Sequence, residues 1–334
     1  MSAADIDIEK LEAYLNVAMP EFKGPLVVEK FTGGQSNPTF KLTASSGTYV
    51  LRRKPPGELL KSAHAVDREF KVINALQGTD VPVPKTYLLC EDDTVLGSMF
   101  YIMEYLEGRI FWDSSLPELA TNAERTAIYD EMNRVLAAMH SVDIDAVELQ
   151  DYGAPGNYIE RQINRWIKQY RASETETLDS MESLIKWLPE NIPADDGTVT
   201  LAHGDYRLDN IMFHPTEPKV IAVLDWELST LGHPLADLAY QCMGWAMPGS
   251  LLGVDREALG IPSDEDYIAA YCARTGRNGI DNWNFYLAFC YFRLAGILQG
   301  IKKRALIGTA SSDEAKAKGE MVKPLADMGW AVVK

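Results

Sequence analysis

A chain of 334 residues, 46% apolar and 24% charged, has the composition of a folded protein and the length for two cores rather than one. Its formal net charge of −16 excludes a general affinity for nucleic acid or anionic membrane, because their phosphates demand a basic surface. The four cysteines (Cys90, Cys242, Cys272, Cys290) form no Cys-x-x-Cys pair, the N-terminus is acidic and polar, and no apolar run reaches the roughly 18 residues of a membrane span, so reduced thiols, a cytoplasmic location and no membrane partner are expected.

In chain order, Ile8 to Val17 read as a short amphipathic helix stopped by Pro20. Three short strands follow, at 26–31, 38–44 and 48–54, joined by Gly-Gly-Gln-Ser-Asn and Ser-Ser-Gly turns. Such close spacing predicts an antiparallel meander, not a βαβ unit. Residues 65–77 carry the helical period, and two more strands fall around Lys-Thr-Tyr-Leu-Leu-Cys and Ser-Met-Phe-Tyr-Ile-Met-Glu-Tyr-Leu. Beyond about Glu107 the pattern turns helical, at 124–140, 157–171, 178–188 and 264–275. The stretch 282–306 is apolar nearly all round and therefore expected to be buried. The expected organisation is α+β, with a β-rich lobe at 1–106 and a larger, mostly helical lobe at 107–334.

One non-helical island, 199–227, interrupts the helical half. It holds His203-Gly204-Asp205, then Asn210, a short strand, a turn, a second strand and Asp225. A hairpin would bring Asn210 beside Asp225, with Asp205 on the preceding loop. Two oxygen donors beside a free carboxylate suit Mg2+, which takes one or two protein oxygens and completes its shell with phosphate oxygens and water. Phosphoryl transfer needs that set: a carboxylate to accept a hydroxyl proton and an Asn and an Asp to hold the metal. Either residue alone could serve only to bond backbone amides in a tight turn. His203, His214 and His233 also invite a metallo-phosphoesterase, but no second His-rich cluster and no His-Glu-x-x-His occurs. His203 is better read as buried and bonded to the loop backbone, His214 and His233 as turn residues, and His140 as a core or helix-end residue.

On Asp-x-x-x-x-Asn, the hairpin and the second Asp, within His-Gly-Asp-x-x-x-x-Asn, the chain resembles the aminoglycoside phosphotransferase family, a branch of the protein-kinase-like fold that also holds choline and homoserine kinases. The resemblance runs from about 25 to about 300. Leu51-Arg-Arg-Lys-Pro-Pro-Gly57 and the segment 224–240 bring it nearest to the phosphotransferase-like domain that is free-standing in bacteria and fused to acyl-CoA dehydrogenases in animals. The resemblance implies a bilobal kinase-like fold with ATP and Mg2+ as cofactors and a small hydroxyl compound as acceptor. Asp205 becomes the catalytic base, and Asn210 and Asp225 the metal ligands. Arg52 stands where the commonest pattern has Lys, keeping the charge and adding a bidentate fork for phosphate, with Glu69 as its partner. Gly33, Gly34, Ser36 and Asn37 replace the usual Gly-rich loop over the phosphates. Met103 to Leu106, including Glu104 and Tyr105, form the hinge that meets adenine, or else merely a strand and linker. Arg207 either neutralises phosphate charge or orients an acidic acceptor, or else pairs structurally with Asp209. Asp237 reads first as a helix cap, and the resemblance adds a role in bracing the loop. About a dozen residues separate Asp225 from Asp237, too few for a long activation loop, which argues for a small-molecule acceptor over a protein. A hydroxy acid or hydroxyacyl-CoA is the expected acceptor, its phosphates meeting Lys302, Lys303 or Arg304. The alternatives are an amino sugar or amino alcohol, and a silent nucleotide-binding regulatory module. Oligomeric state is not legible.

Overall fold

The structure is a computed structural model that describes residues 6–31, 37–55, 65–154, 156–247, 249–308 and 313–334. In chain order the elements are α1 (Ile8–Ala18), β1 (Val27–Lys30), β2 (Thr39–Ala44), β3 (Gly47–Arg53), α2 (Val66–Ala75), β4 (Thr86–Cys90), α3 (Asp93–Leu96) and β5 (Phe100–Glu104). Then come α4 (Asn122–His140), α5 (Tyr158–Ser173), α6 (Asp179–Glu190), β6 (Thr200–Ala202), β7 (Ile211–Phe213), β8 (Val220–Val223) and β9 (Thr230–Gly232). The chain closes with α7 (Pro234–Trp245), α8 (Arg256–Leu259), α9 (Asp264–Thr275), α10 (Trp283–Leu306), α11 (Asp313–Glu320) and α12 (Val322–Ala331). Two compact units result: Met1–Trp112 with Val142–Tyr152 and Leu208–Ser229, and the remaining stretches Asp113–Ser141, Gly153–Arg207 and Thr230–Lys334.

The first unit is built on one antiparallel sheet in the order β1-β2-β3-β5-β4. Strand alternation sorts its side chains. Phe40, Leu42, Leu51, Phe100 and Ile102 face a core shared with Leu11 and Leu15 of α1. Each such aliphatic or aromatic side chain, once buried, contributes about 1.5–3 kcal/mol. The opposite parity carries Arg52, registered across from Tyr101, and α2 packs against β4 and β5. The β7–β8 hairpin belongs to this unit, pairing Ile211 with Val223. Gly108 lets the chain pass it closely, since a Cβ there would lie 2.5 Å from both the Phe213 carbonyl oxygen and the Met212 side chain.

The second unit is helical around α10, which packs against α5, α6, α7, α11 and α12. Phe285, Phe289, Phe292 and Ala295 are buried along it, as the apolar pattern of 282–306 required. The pair β6–β9 ties Thr200 to Gly232 and Ala202 to Thr230, so the chain leaves β6 into His203 from a fixed point. Thr121 caps α4 in a reciprocal capping box with Glu124. Among the described residues no helix is long and apolar enough to cross a membrane.

Candidate active site

Arg52 is the hub of the first unit. Its Nε donates to Glu69 Oε2 at 2.8 Å and its Nη2 to Asp225 Oδ1 at 2.5 Å. Glu227 Oε2 stands 3.9 Å from Nη2, and Thr39 Oγ1 lies 3.5 Å from Nη1. The pairing follows from the fold: Arg52 sits on the parity of β3 that faces α2, and Glu69 is the buried residue of that helix nearest it. One guanidinium therefore serves three carboxylates. Glu69 is 1% exposed; burial, aided by Asp225 and Glu227 and opposed by Arg52, pushes it up to about 7. Burial alone would lower Arg52, but Glu69 foremost, then Tyr101, Asp225 and Glu227, raise it above its ordinary value. The Tyr101 hydroxyl, fully buried, is raised well above a normal phenol by burial first and by Glu69 next.

The hairpin meets the geometry its sequence implied. Leu224 N donates to Asn210 O at 2.8 Å, so Asp225 follows directly on the residue bonded to Asn210. Asp225 has φ 62° and ψ 58°, a left-handed conformation that costs most residues about 1–2 kcal/mol and that Asp tolerates better. Its side chain is 36% exposed. Trp226 locks the turn after it, donating Nε1 to Val223 O at 2.9 Å. Asn37 is buried and its Nδ2 lies 3.4 Å from Glu227 Oε2. Gly33, Gly34 and Ser36 lie outside the described residues. Glu104 ends β5, and its carboxylate accepts from Lys85 N at 3.2 Å, while Tyr105 lies under the Lys41 ammonium at 4.7 Å.

Asp205 belongs to the helical unit and is half-buried on the loop after β6. The loop is held from several sides. Asp237 accepts from His203 N at 2.6 Å and Gly204 N at 2.9 Å, and His203 Nδ1 accepts from Asp205 N at 3.2 Å. The capping role first expected of Asp237 therefore falls elsewhere: His233 caps α7, and Asp237, one turn in, turns its carboxylate to the loop. Burial alone would raise Asp237, yet His140 and the donated backbone hydrogens hold it below the usual carboxylate range. His140 in turn bonds Tyr271 Oη through Nδ1 at 2.7 Å. Tyr206 anchors the loop's far side through its hydroxyl to Met132 O at 2.7 Å. Arg207 is exposed.

His203 is fully buried and bonded to the loop, and His214 accepts from Glu217 N inside the hairpin turn, so neither gathers a metal cluster. Two of the cations expected to meet an acceptor's phosphates are engaged locally: Lys302 pairs with Glu176, and Lys303 donates to Ala172 O. Two participants escaped sequence reasoning. Glu227 has a signal in hindsight, an acid two residues beyond Asp225; Arg293, which donates to Gly204 O at 2.8 Å from α10, has none.

Residues 27–286 match the family model of the phosphotransferase enzyme family. Over 329 residues the chain is 48% identical to mouse acyl-CoA dehydrogenase family member 10, covering 96% of this chain and 31% of that protein, so it spans about a third of that relative's length. A Ralstonia eutropha crystal structure, described as a presumed aminoglycoside phosphotransferase, is 56% identical with a TM-score of 0.91, covering 98% of each chain. Spectinomycin phosphotransferase, solved with ADP and spectinomycin, shares the fold at a TM-score of 0.65 and 12% identity over 98% of each chain. The α+β kinase-like fold expected from the sequence is therefore the fold of this chain. With more than half its length matched by the family model and a near-complete likeness to solved phosphotransferases, the chain belongs to the phosphotransferase enzyme family.

Proposed function

We propose that this chain moves the γ-phosphoryl group of ATP onto the hydroxyl of a small molecule, with residues 1–106 serving the nucleotide and 107–334 the acceptor. The observation that carries the proposal is the Arg52 guanidinium held between buried Glu69 and Asp225, at the end of the hairpin that opens on Asn210. Arg52 clamps the phosphates and Glu69 fixes Arg52. Gly33, Gly34, Ser36 and Asn37 cover the phosphates, and Glu104 and Tyr105 meet the base. Asp205 accepts the acceptor's hydroxyl proton as that oxygen bonds to the γ-phosphorus and the bond from phosphorus to the bridging oxygen breaks, releasing ADP.

Asn210 and Asp225 hold Mg2+ in this proposal. Their donor chemistry fits, because an amide and a carboxylate both offer the hard oxygens that Mg2+ prefers. The ion, when bound, offsets negative charge on the phosphates. Arg207 is proposed to steady an anionic group of the acceptor.

A hydroxy acid or hydroxyacyl-CoA is the acceptor we favour, because 96% of this chain matches about a third of a protein named for acyl-CoA dehydrogenation. An amino-sugar acceptor rests on the name of the Ralstonia protein. The test is ADP release with hydroxyacyl-CoA thioesters, free hydroxy acids, amino sugars and amino alcohols, for wild type and Asp205→Ala. Acceptor-dependent release by wild type, reduced on the order of 10²-fold or more in the variant, is expected. Turnover of amino sugars alone would overturn the acceptor; Mg-ATP binding with no turnover on any compound would leave a regulatory module instead.

A further inference from the structure

Arg293 lies on α10, is 7% exposed, and forms no ion pair with a carboxylate among the described residues. Its Nη2 donates to Gly204 O at 2.8 Å, and its Nε finds no partner among the described residues. Its guanidinium lies over the ring of Tyr240, 5.3 Å from the centroid, and 6.0 Å from that of Trp166. Asp237 acts on it only from beyond ion-pair distance, together with Tyr158, Tyr240 and Cys290. Burying a cation with no carboxylate in direct contact costs several kcal/mol, and an apolar residue of similar volume often serves stability as well or better. Aromatic faces offset only part of that cost. What Arg293 does hold is specific. Gly204 O belongs to the peptide that joins Gly204 to Asp205, and the N–H of that same peptide donates to His203 Nδ1 at 3.2 Å. Gly204 itself has φ +83°, and its own N–H goes to Asp237. The peptide plane immediately before Asp205 is thus gripped at both ends, by a buried imidazole and a buried guanidinium. Tyr240 feels both charges: burial first and the Asp205 carboxylate next raise its phenol, and Arg293 opposes.

We propose that Arg293 is a positioning residue for Asp205, fixing the peptide that aims the base, with Tyr240 as the ring on which its guanidinium rests. The role assigned to Asp205 rests on the function proposed above; the aiming of its peptide does not.

Two measurements on the full chain separate these. In Arg293→Met, kcat with the best acceptor falls about 10²-fold, the cost of misplacing a catalytic group by about an ångström, while KM for ATP stays within about twofold. Arg293→Lys, which keeps one donor, recovers part of kcat. Without any ligand, amide exchange of the 201–208 segment speeds up in Arg293→Met, while α10 keeps its protection. Unchanged exchange and unchanged kcat in a folded variant would overturn the inference, as would equal losses of kcat and of nucleotide affinity. If no compound is phosphorylated by wild type, the proposed function falls and the exchange comparison still decides the positioning. If Arg293→Met does not fold, Arg293→Lys carries the same comparison, with faster loop exchange expected and wild-type exchange overturning it.

Discussion

Two buried carboxylates, one in each unit, are driven in opposite directions. Glu69, in the sheet-based unit, is pushed up to about 7, whereas Asp237, in the helical unit, is held below the usual carboxylate range. Burial raises both, so burial does not explain the difference. The partners do. Asp237 accepts two backbone N–H groups and faces His140. Glu69 shares the Arg52 guanidinium with Asp225 and Glu227, and those two acids push it up while Arg52 opposes. The first arrangement is complete as it stands and suits a scaffold. The second sets acids against one another around one guanidinium, and protonation of Glu69 relieves that repulsion.

The comparison breaks most sharply at Asp237. Asp237→Ala leaves two buried N–H groups unpaired beside the loop of Asp205, and a loss of about 3–5 kcal/mol in urea unfolding is expected. A loss below 1 kcal/mol would mean that the carboxylate is not the anchor described. At Glu69 the expected effect is smaller and kinetic: Glu69→Gln keeps the shape but weakens the hold on Arg52, raising KM for ATP about tenfold, or about 1.4 kcal/mol. The same variant reads the electrostatics. Because the folded pKa of Glu69 lies above its unfolded value of about 4.3, the folded state binds the extra proton, and stability falls as pH rises from there through about 7. Wild-type Tm should therefore decline across that window and Glu69→Gln should flatten the slope; an unchanged slope would place the titration elsewhere. Asp237 has the reverse sign, its contribution being present above its unfolded pKa and lost only as pH falls below about 3.9. Smallest is Tyr271→Phe, which removes only the outermost bond of the Asp237 network, the one to His140, at a cost of about 1 kcal/mol. A cost as large as that of Asp237→Ala would show that the network acts as one unit.

Mg2+ with nucleotide sharpens the contrast further. Added together at about 100 times the dissociation constant, they should stabilise wild type by about 2.7 kcal/mol and Asp225→Ala far less, as measured by thermal shift. Equal stabilisation of the two proteins would remove Asp225 from the proposed metal site.

How much of this was legible depended on distance along the chain. The hairpin that sets Asn210 near Asp225 is local, written in two short apolar runs and a His-Pro-Thr-Glu-Pro turn, and the register of Ile211 with Val223 follows from it. The sheet was legible for the same reason, since hairpin turns fix which residues oppose. Arg52 and Glu69 were paired through a family likeness; the period-2 parity of β3 is what turns that likeness into a 2.8 Å contact. The share of Glu227 in the Arg52 cluster was not legible, because a single acid after a strand looks like any solvated carboxylate. Asp237 misled for a similar reason: an acid in the first turns of a helix is usually a cap, and only the return of β9 beside β6 brings it to the amides of residues 203 and 204.

The sequence alone determined the division into strands and helices, the hairpin and the residue types available for phosphoryl transfer, because these depend on side-chain period and turn chemistry within a few residues. The tertiary structure decided which buried charges meet: one arginine among three acids in one unit, and one carboxylate among hydrogen-bond donors in the other. Those contacts join residues 17 to 175 positions apart, the widest being Arg52 and Glu227 (227 − 52), and 33 to 97 in the second case, spacings over which no local pattern persists. The free energy of a buried charge is set by the groups within a few ångströms of it, and folding, not proximity in sequence, chooses those groups.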